Sequence, residues 1–298
     1  MNILITGAGG FIGSAVFTYL SRKDFSVERH VRSIDGDITE TSIPEKTNAI
    51  VNCAGRLGLP GTDPNQLTQS NVILPMLLAD ICRARQIHLI HLSTPGIAGL
   101  HADVTEDSPP DPWGDYERSK YQGEEALRKH YISKSGQLTI LRPDFVYGPG
   151  DRHKLPFFQQ VGKGWLPLIG LKGGRIRPTF VSDVCSAIEN SMPGKRLNTG
   201  LFNIGGPEVV SIRMFGTLIA QKMGRKLKTI PLPRFLYACA LRSGPFKPKS
   251  LSYSRLRLFC EDHYVSINKA AEAGFEPSTL LSDGIQKTLE WYRFEKLL

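Results

Sequence analysis

The chain has 298 residues, of which 41% are hydrophobic and 22% are charged, a composition typical of a folded globular protein and not of a disordered one. It shows no basic segment ahead of an apolar stretch and no apolar run near the ~18 residues that span a bilayer, so we expect a cytoplasmic protein. No two cysteines form a Cys-x-x-Cys pair, which argues against a zinc site or a disulfide framework. The five cysteines are Cys53, Cys82, Cys185, Cys239 and Cys260.

The net charge of +9 is distributed unevenly along the chain. Eleven basic residues and no acidic residue lie between Glu208 and Glu261. Such a segment attracts anions, and four interpretations stay open: a phosphorylated substrate, an anionic membrane surface, nucleic acid, or a solvated basic surface without a ligand.

The first twenty residues predict a turn that binds a dinucleotide. An apolar strand at 3–6 runs into glycines and then into a helix predicted at 11–21. Gly7 permits the tight turn, Gly10 lets the backbone approach a pyrophosphate, and Gly13 lets the helix pack on the strand. The N-terminus of the helix adds N–H donors and the positive end of its dipole.

Strand and helix patterns alternate through the first two-thirds of the chain, which predicts an α/β fold with a Rossmann-type, doubly wound parallel sheet. Pro75 lies inside one predicted helix and should kink it. Further strands are predicted at 26–31, 49–53, 88–92 and 138–141, and further helices at 66–85, 116–134 and 184–191.

The character of the sequence changes after Gly150. Glycine and proline become frequent and the alternation fades. We therefore predict a dinucleotide-binding domain at 1–150 and about 178–205, and a smaller, irregular substrate domain at about 151–177 and 206–298.

The end of the second predicted strand bears on the choice of cofactor. An acidic residue there would receive the ribose hydroxyl groups of NAD(H), whereas this chain has Val31 and Arg32. A guanidinium group suits a 2′-phosphate, so NADP(H) is favoured, with NAD(H) as the alternative. An arginine at the end of a surface strand, without a ligand, is the competing interpretation.

Tyr116 and Lys120 lie four residues apart on a predicted helix and therefore share one face. A nearby ammonium group stabilises a phenolate, which lowers the pKa of the tyrosine and makes it a better acid or base. Tyr19 and Tyr292 are also followed by a lysine four residues later, so the candidate must be chosen by its position in the chain. Tyr116 follows the strand that leads into Thr94, and a hydroxyl group at the carboxyl end of a parallel strand lies where open α/β sheets bind ligands.

A series of motifs runs in order along nearly the whole chain. The series begins with TGAGGFIG at 6–13, GDI at 36–38, NCAG at 52–55, SNV at 70–72, LSTPGIAG at 92–99 and the Tyr-x-x-x-Lys spacing at 116–120. It continues with LRPDFVYGPG at 141–150, RPTFVSD at 177–183, FNIG at 202–205 and GFEP at 274–277. In type and order, these motifs resemble those of the extended short-chain dehydrogenase/reductases, also called the NAD-dependent epimerase/dehydratase family.

The resemblance implies a role for each matching residue. Thr94 would hydrogen-bond the substrate oxygen, Tyr116 would be the acid/base, and Lys120 would hold the nicotinamide ribose and lower the pKa of the tyrosine. The implied reaction is hydride transfer between the nicotinamide C4 and a carbon that bears a hydroxyl or ketone group. Substrate-binding candidates are Thr94, Phe145 and Arg177. Cofactor-binding candidates are Gly7, Gly10, Phe11, Ile12, Gly13, Arg32, Asp37, Ile38, Cys53, Ala54, Gly55, Asn71, Ser93, Tyr116, Lys120, Pro143 and Val146; no metal site is predicted.

The chain departs from the family pattern in three places. Between Arg32 and Asp37 the family's second helix and third strand are nearly absent, which predicts a thinner adenine pocket. Ala98 stands where many relatives have a tyrosine, so one wall of the substrate pocket would be lost. Phe145 stands where sugar-nucleotide members usually have an asparagine.

Three functions fit these residues. The favoured one is epimerisation or reduction of a nucleotide-activated or lipid-diphosphate-linked sugar, because Arg177 matches an arginine that relatives place near the substrate diphosphate. The alternative is an NADP-dependent reductase or dehydrogenase of an apolar alcohol or ketone, similar to hydroxysteroid or dihydroflavonol enzymes, which Phe145 and the apolar segment 155–158 favour. The least favoured is a non-catalytic NADP-binding assembly or regulatory protein.

The expected partner is a small anionic substrate. The resemblance also implies a homodimer formed through the helices at 66–85 and 116–134. Nucleic acid is disfavoured, because the basic segment lacks regularly spaced aromatic residues for base stacking. The apolar stretch at 235–241 is compatible with peripheral membrane contact, although a core helix is the preferred interpretation.

Overall fold

A computed structural model describes residues 1–58, 61–129, 137–169, 173–233 and 261–298. The apolar stretch at 235–241, much of the basic segment, Cys239 and Cys260 lie outside these residues, as does the end of the helix predicted at 116–134. The strands are β1 (Asn2–Thr6), β2 (Ser26–His30), β3 (Ala49–Asn52), β4 (His88–Leu92), β5 (Leu138–Pro143), β6 (Val146–Tyr147), β7 (Trp165–Ile169), β8 (Arg175–Ile176), β9 (Thr179–Phe180), β10 (Gly200–Ile204), β11 (Val210–Ser211) and β12 (Lys228–Leu232). The α-helices are α1 (Phe11–Leu20), α2 (Arg32–Asp35), α3 (Pro64–Thr68), α4 (Leu74–Ala84), α5 (Asp115–Leu127), α6 (Leu155–Gly162), α7 (Val181–Asn190), α8 (Ile212–Lys222), α9 (Asn268–Glu272) and α10 (Leu281–Phe294).

Six strands form one parallel sheet in the order β10-β5-β4-β3-β1-β2. The chain winds outward from β1 in both directions, so a crevice opens beyond the carboxyl ends of β1 and β3, where open α/β sheets bind ligands. One apolar cluster contains residues of α1 and α7 and another contains residues of α4 and α5. The predicted Rossmann-type, doubly wound parallel sheet is confirmed.

The predicted shortening after β2 is also observed. A single helical turn, α2, follows β2 directly, and β3 is the next strand along the chain. Nothing in the described part of the chain pairs with the outer side of β2 in the main sheet. The adenosine side of the crevice is therefore bounded by β2 itself.

Pro75 changes the helix in which it lies, as expected. The segment Gln69–Ile73 between α3 and α4 is a π-helical turn, in which Leu74 N–H donates to Gln69 O. Pro75 lacks an N–H group and stands in the first turn of α4, so the carbonyl of Asn71 loses its regular intrahelical donor. A π-turn widens the helix and is often found at functional sites.

The second half of the chain has its own apolar cluster. Two-stranded sheets pair β7 with β12, β8 with β11 and β6 with β9. Its interior combines aliphatic and aromatic side chains, and Phe215 contacts the rings of Phe145, Tyr147 and Phe158 at centroid distances of 5.7, 5.8 and 6.2 Å. The domain boundaries at about 151–177 and 206–298 stay a prediction.

No helix among the described residues is both long and apolar enough to cross a membrane. Within the same residues, no cluster of three or more His, Cys, Asp or Glu side chains could hold a metal ion. Cys53, Cys82 and Cys185 are free thiols.

Candidate active site

The glycine turn after β1 fits the geometry predicted for a dinucleotide. Gly7 has a φ of +69°, and a Cβ on it would lie 2.5 Å from the backbone nitrogen of Ala54, so only glycine fits there. A Cβ on Gly13 would lie 2.3 Å from Gly7 O, which shows how closely α1 packs on the turn. Gly10 N–H closes the turn on Gly7 O at 3.0 Å. Apart from Gly7 O at 3.3 Å, a Cβ on Gly10 would meet no atom within 4 Å.

Helix α1 begins at Phe11 without a side-chain cap on its first turn. The N–H groups of Phe11 and Ile12 in that turn therefore have no intrahelical acceptor. Together with the helix dipole they form a site for an anion, which matches the expected place of a pyrophosphate.

Three predicted catalytic residues meet at the carboxyl end of β4. Thr94 follows β4 and caps a short 3₁₀-helix, Pro95–Ala98, by accepting a hydrogen bond from Gly96 N–H at 3.3 Å. Its hydroxyl group also faces Tyr116 in the first turn of α5, where it acts to lower the pKa of that tyrosine. Lys120, one turn further along α5, is 4% exposed, and its Nζ donates to Leu92 O at 2.7 Å.

The electrostatics of this group differ from the expectation in one respect. The sequence predicts that Lys120 lowers the pKa of Tyr116, but burial and the charge of Glu117 raise it, while the Thr94 hydroxyl group opposes the shift. The Lys120 ammonium group instead bonds Leu92 O. Burial lowers the pKa of Lys120 itself to about 8, although the Glu124 carboxylate acts in the opposite direction.

The other two tyrosines with this spacing have structural partners. Tyr19 OH donates to Glu189 Oε2 at 2.8 Å on the first crossover helix. Tyr292 is fully buried in α10, and its OH donates to Asp151 O at 2.6 Å. Tyr116 is therefore the tyrosine of this spacing that lies at the crevice.

A buried polar chain beneath the crevice is absent from the sequence predictions. Thr6 Oγ1 donates to Asn52 Oδ1 at 2.8 Å, and Asn52 Nδ2 lies 3.0 Å from His91 Nδ1. Burial and the nearby Lys120 ammonium group hold the pKa of His91 well below its usual range, which keeps the ring neutral. Polar residues at the ends of otherwise apolar strands are the available indication of this network.

Asn71 holds the loop after β3 in place. Its Oδ1 accepts from Arg56 N–H at 2.9 Å, and its Nδ2 donates to Arg56 O at 3.0 Å and to Ser119 Oγ at 2.9 Å. Helix α5 approaches so closely here that a Cβ on Gly123 would lie 2.0 Å from Asn71 O, the carbonyl freed by Pro75. The predicted cofactor residue Asn71 thus uses its amide group on protein partners.

The other cofactor candidates surround the crevice. Ser93 Oγ is buried without a hydrogen-bond partner in the described part of the chain. A Cβ on Gly55 would lie 3.5 Å from Lys120 Nζ, which places the Cys53-Ala54-Gly55 segment beside the catalytic group. Pro143 ends β5 in register with Ile204, and Val146 begins β6.

At the adenosine side, the predicted acidic residue Asp37 is exposed, whereas its neighbour Ile38 is buried. Asp37 is 75% exposed, and its Oδ1 lies 2.5 Å from Arg32 Nε. Ile38 is buried in the cluster that contains Ile43 and Ile50. A polar cleft of about 200 Å³ opens beside Arg32, and it also contains Arg56, which the sequence analysis did not single out.

The two remaining substrate candidates lie near a buried carboxyl group. Arg177 Nη1 donates to Gly206 O at 3.0 Å, while its Nε is buried without a partner in the described residues. Burial raises the pKa of Asp144 to about 7, against the opposing charges of Arg177 and Lys154. Phe145 has a φ of +33°, a strained conformation for a bulky residue, and its ring lies 4.7 Å from Lys154 Nζ.

Two observations concern residues next to the catalytic group. Glu117 is 8% exposed, and burial raises its pKa to about 7. A Cβ on Gly96 would lie 3.0 Å from Glu117 Cγ, so this carboxyl group lies beside the Thr94 loop. Ala98 is buried in a small cluster with Val104 and Val265, so its side chain packs toward the C-terminal segment.

These residues fit a nicotinamide dinucleotide. The glycine turn leaves a cradle that a Cβ would fill, uncapped N–H groups begin α1, and the buried Ser93 hydroxyl group lacks a protein partner among the described residues. All three features lie along the carboxyl edge of the parallel sheet, where such cofactors bind.

Known proteins resemble the chain over most of its length. An N-acetyl-alpha-D-glucosaminyl-diphospho-ditrans,octacis-undecaprenol 4-epimerase from Escherichia coli O157:H7 is 23% identical; the match covers 68% of this chain and 65% of that protein. A 2-alkyl-3-oxoalkanoate reductase from Stenotrophomonas maltophilia (strain K279a) is also 23% identical, over 96% of this chain and 98% of that protein.

The fold is likewise shared with solved structures. The crystal structure of the UDP-glucose 4-epimerase of Thermus thermophilus in complex with NAD superposes with a TM-score of 0.77 at 21% identity, covering 98% of this chain and 99% of that one. The model of the NAD dependent epimerase/dehydratase family matches residues 3–205. Because this match covers more than half of its length, the chain belongs to the NAD dependent epimerase/dehydratase family.

Proposed function

We propose that the protein is an NADP(H)-preferring epimerase or reductase of a diphosphate-linked sugar. The observation that carries this proposal is the convergence of Thr94, Tyr116 and Lys120 at the end of β4, beside a glycine turn suited to a dinucleotide. Relatives whose names specify sugar-nucleotide or lipid-diphosphate sugar substrates support the substrate class.

In the proposed mechanism, Tyr116 moves the proton of the reacting hydroxyl group. The Thr94 hydroxyl group, which faces Tyr116, would turn its single proton toward the substrate oxygen as negative charge develops on that oxygen. Lys120, cationic below its lowered pKa of about 8, would bind the nicotinamide ribose.

The cofactor would be held by the first turn of α1 at its diphosphate, by Ser93 and Lys120 near its nicotinamide half, and by Arg32 at its adenosine half. When bound, it supplies the acceptor or donor of hydride. The protein positions the two reacting carbons and excludes water from between them.

Arg177 is proposed to bind the substrate diphosphate. Within the described residues, its Nε has no hydrogen-bond acceptor. Its Nη1 donates to Gly206 O, which is the one hydrogen bond of the guanidinium group to the described residues. The Asp144 carboxyl group beside it has a pKa of about 7 and would be partly ionised near neutral pH. Its ionised form would help to orient the guanidinium group.

A second candidate function rests on Phe145. Where sugar-nucleotide relatives usually have an asparagine, this ring packs edge-on against Phe215 and under Lys154. An apolar pocket wall favours an NADP-dependent reductase of an apolar alcohol or ketone, and the 2-alkyl-3-oxoalkanoate reductase relative supports that class.

The proposed assembly is a homodimer. Ile73 and Leu77 are 46% and 40% exposed although both are large and apolar. They lie four residues apart, one at the end of the π-turn and one in α4, and so form an apolar strip on the helix predicted to pair.

The test is calorimetric titration of the full chain with NADPH and NADH, followed by UDP-, GDP-, CDP- and dTDP-sugars on the cofactor-loaded protein. Binding of a cofactor and of one nucleotide sugar is the expected result. Cofactor binding without a sugar nucleotide, together with turnover of an apolar ketone, would favour the second candidate. Binding of neither dinucleotide would contradict both enzymes.

A further inference from the structure

The cleft beside Arg32 is lined by two arginines and by no carboxylate. Arg32 follows β2 and Arg56 follows β3, and β1 lies between these two strands in the sheet. We propose that Arg56 is a second anchor, with Arg32, for the 2′-phosphate of NADP(H); this inference rests on the proposed function. The other lining residues are Asn65, Gln66, Gln69 and Ser70.

The charges of the cleft suit a phosphate monoester. A 2′-phosphate carries close to two negative charges at neutral pH and strong acceptor oxygens. The residues that line the cleft carry two guanidinium groups, three side-chain amides and one hydroxyl group, all of which can donate to such oxygens. Planar guanidinium groups also bind phosphate in a bidentate manner, which a lysine cannot do.

Arg32 alone cannot balance the two negative charges of a 2′-phosphate. Its Nε lies 2.5 Å from the Asp37 carboxylate, which neutralises part of its charge. The Arg56 guanidinium group has neither a salt bridge nor a hydrogen-bond acceptor in the part of the chain that the structure describes. Arg56 is therefore the less compensated of the two positive charges in the cleft.

The backbone of Arg56 is already fixed before a ligand arrives. The Asn71 amide group clamps it with two hydrogen bonds, at 2.9 and 3.0 Å, from the π-turn that Pro75 produces. A preorganised backbone reduces the entropy lost when the side chain binds. Asn71 is thus a positioning residue for Arg56.

The position of the cleft points to the ribose phosphate and not to the pyrophosphate. The pyrophosphate site lies at the first turn of α1, beyond Gly10. The end of β2, where Arg32 stands, is the place at which this fold distinguishes the ribose substituents of its two cofactors. Because the family's next strand is nearly absent, no main-sheet strand among the described residues lies outside β2.

The experiment measures NADPH and NADH affinity by calorimetry for the wild-type chain, Arg56→Ala, Arg56→Lys and Arg32→Ala. Arg83→Ala, on α4 and paired with Asp80, is the matched control outside the cleft. We expect Arg56→Ala to weaken NADPH at least about tenfold and NADH less than about twofold, as for loss of a charge-assisted contact. Arg56→Lys should retain part of the NADPH affinity, and Arg83→Ala all of it.

The same titration with adenosine 2′,5′-bisphosphate and 5′-AMP isolates the adenosine end. If Arg56→Ala loses equal affinity for NADPH and NADH, or none for either, the role of Arg56 is wrong. The proposed function still stands in that case, provided that the wild-type protein binds a dinucleotide. Wild-type protein that binds neither dinucleotide would overturn the proposed function and this inference with it. Melting curves of each variant, with Arg56→Lys as the conservative replacement, separate loss of the contact from loss of the fold.

Discussion

The two ends of the crevice hold their charges in opposite ways. At the catalytic end, Lys120 is 4% exposed, and the neighbouring Arg142–Glu124 pair is 4% and 2% exposed. At the adenosine end, the side chains of Arg32 and Asp37 are 68% and 75% exposed. In the proposed enzyme, the chemistry would therefore depend on buried charges that stabilise one another, whereas the choice of cofactor would depend on exposed side chains that can change without disturbing the fold.

The largest expected effect is on turnover. Tyr116→Phe removes the oxygen that transfers the proton, so kcat should fall about 10²- to 10⁴-fold while NADPH affinity is retained. Single-turnover kinetics and calorimetry measure the two quantities. Tyr19→Phe, which has the same spacing to a lysine but bonds Glu189, is the control and should keep full activity. Undiminished turnover in Tyr116→Phe would disprove the assigned acid/base.

The next effect concerns stability and contrasts the two ends directly. Glu124→Ala leaves the buried Arg142 guanidinium group uncompensated and should lower the free energy of unfolding by about 3–5 kcal/mol. Asp37→Ala removes the carboxylate of the exposed pair, and its denaturation midpoint should match that of the wild type. Similar losses in both variants, measured by urea denaturation, would show that the contrast between the ends is wrong.

The smallest effect is a change in pH dependence at Glu117. Because its pKa is raised from 4.5 to about 7 in the folded protein, the folded state holds the proton that the unfolded state has lost. Its contribution therefore destabilises the fold progressively as the pH rises from about 4.5 to about 7 and is constant above. Glu117→Gln should lose less stability between about pH 5 and pH 8 than the wild type, as thermal unfolding would measure.

Glu117 also offers an independent readout at the active site. Its negative charge raises the pKa of Tyr116, so Glu117→Gln should shift the tyrosine titration to lower pH. Glu125→Gln, an exposed carboxylate further along α5 that is paired with Lys129, is the matched control. An unchanged pH profile of both stability and activity in Glu117→Gln would remove this residue from the electrostatics of the site.

Local sequence patterns predict five of the six strands of the main sheet and propose the candidate catalytic residues. Strand and helix periods predict β1 to β5, and the glycine spacing predicts the turn because the positive φ of Gly7 and the close packing of Gly13 on Gly7 O are local requirements. Pro75 predicts an irregular helix because proline lacks the N–H group that would donate to a carbonyl group of the same helix. Thr94 is a candidate because it follows a strand end, Tyr116 is a candidate because of its spacing to Lys120, and the family resemblance supports both.

What the sequence could not provide depends on contacts between distant segments. The Asn71 clamp on Arg56 joins residues fifteen positions apart, and Pro75 predicts a break in the helix but not this contact. The raised pKa values of Glu117 and Asp144 arise from burial, which is a property of the packed molecule. The small sheets of the second half pair short strands, such as β8 with β11, that carry too few residues for a period to be visible.

The nearly absent segment after β2 has a consequence for encounters between copies of the protein. β2 is the last strand on its side of the main sheet among the described residues, so it resembles an open template onto which another chain could add a strand. Glu28 and Arg29 are exposed within it, and the strand is only five residues long. Short length and charged side chains are the devices by which natural sheets resist edge-to-edge aggregation, and here they protect the edge that the shortened fold leaves open.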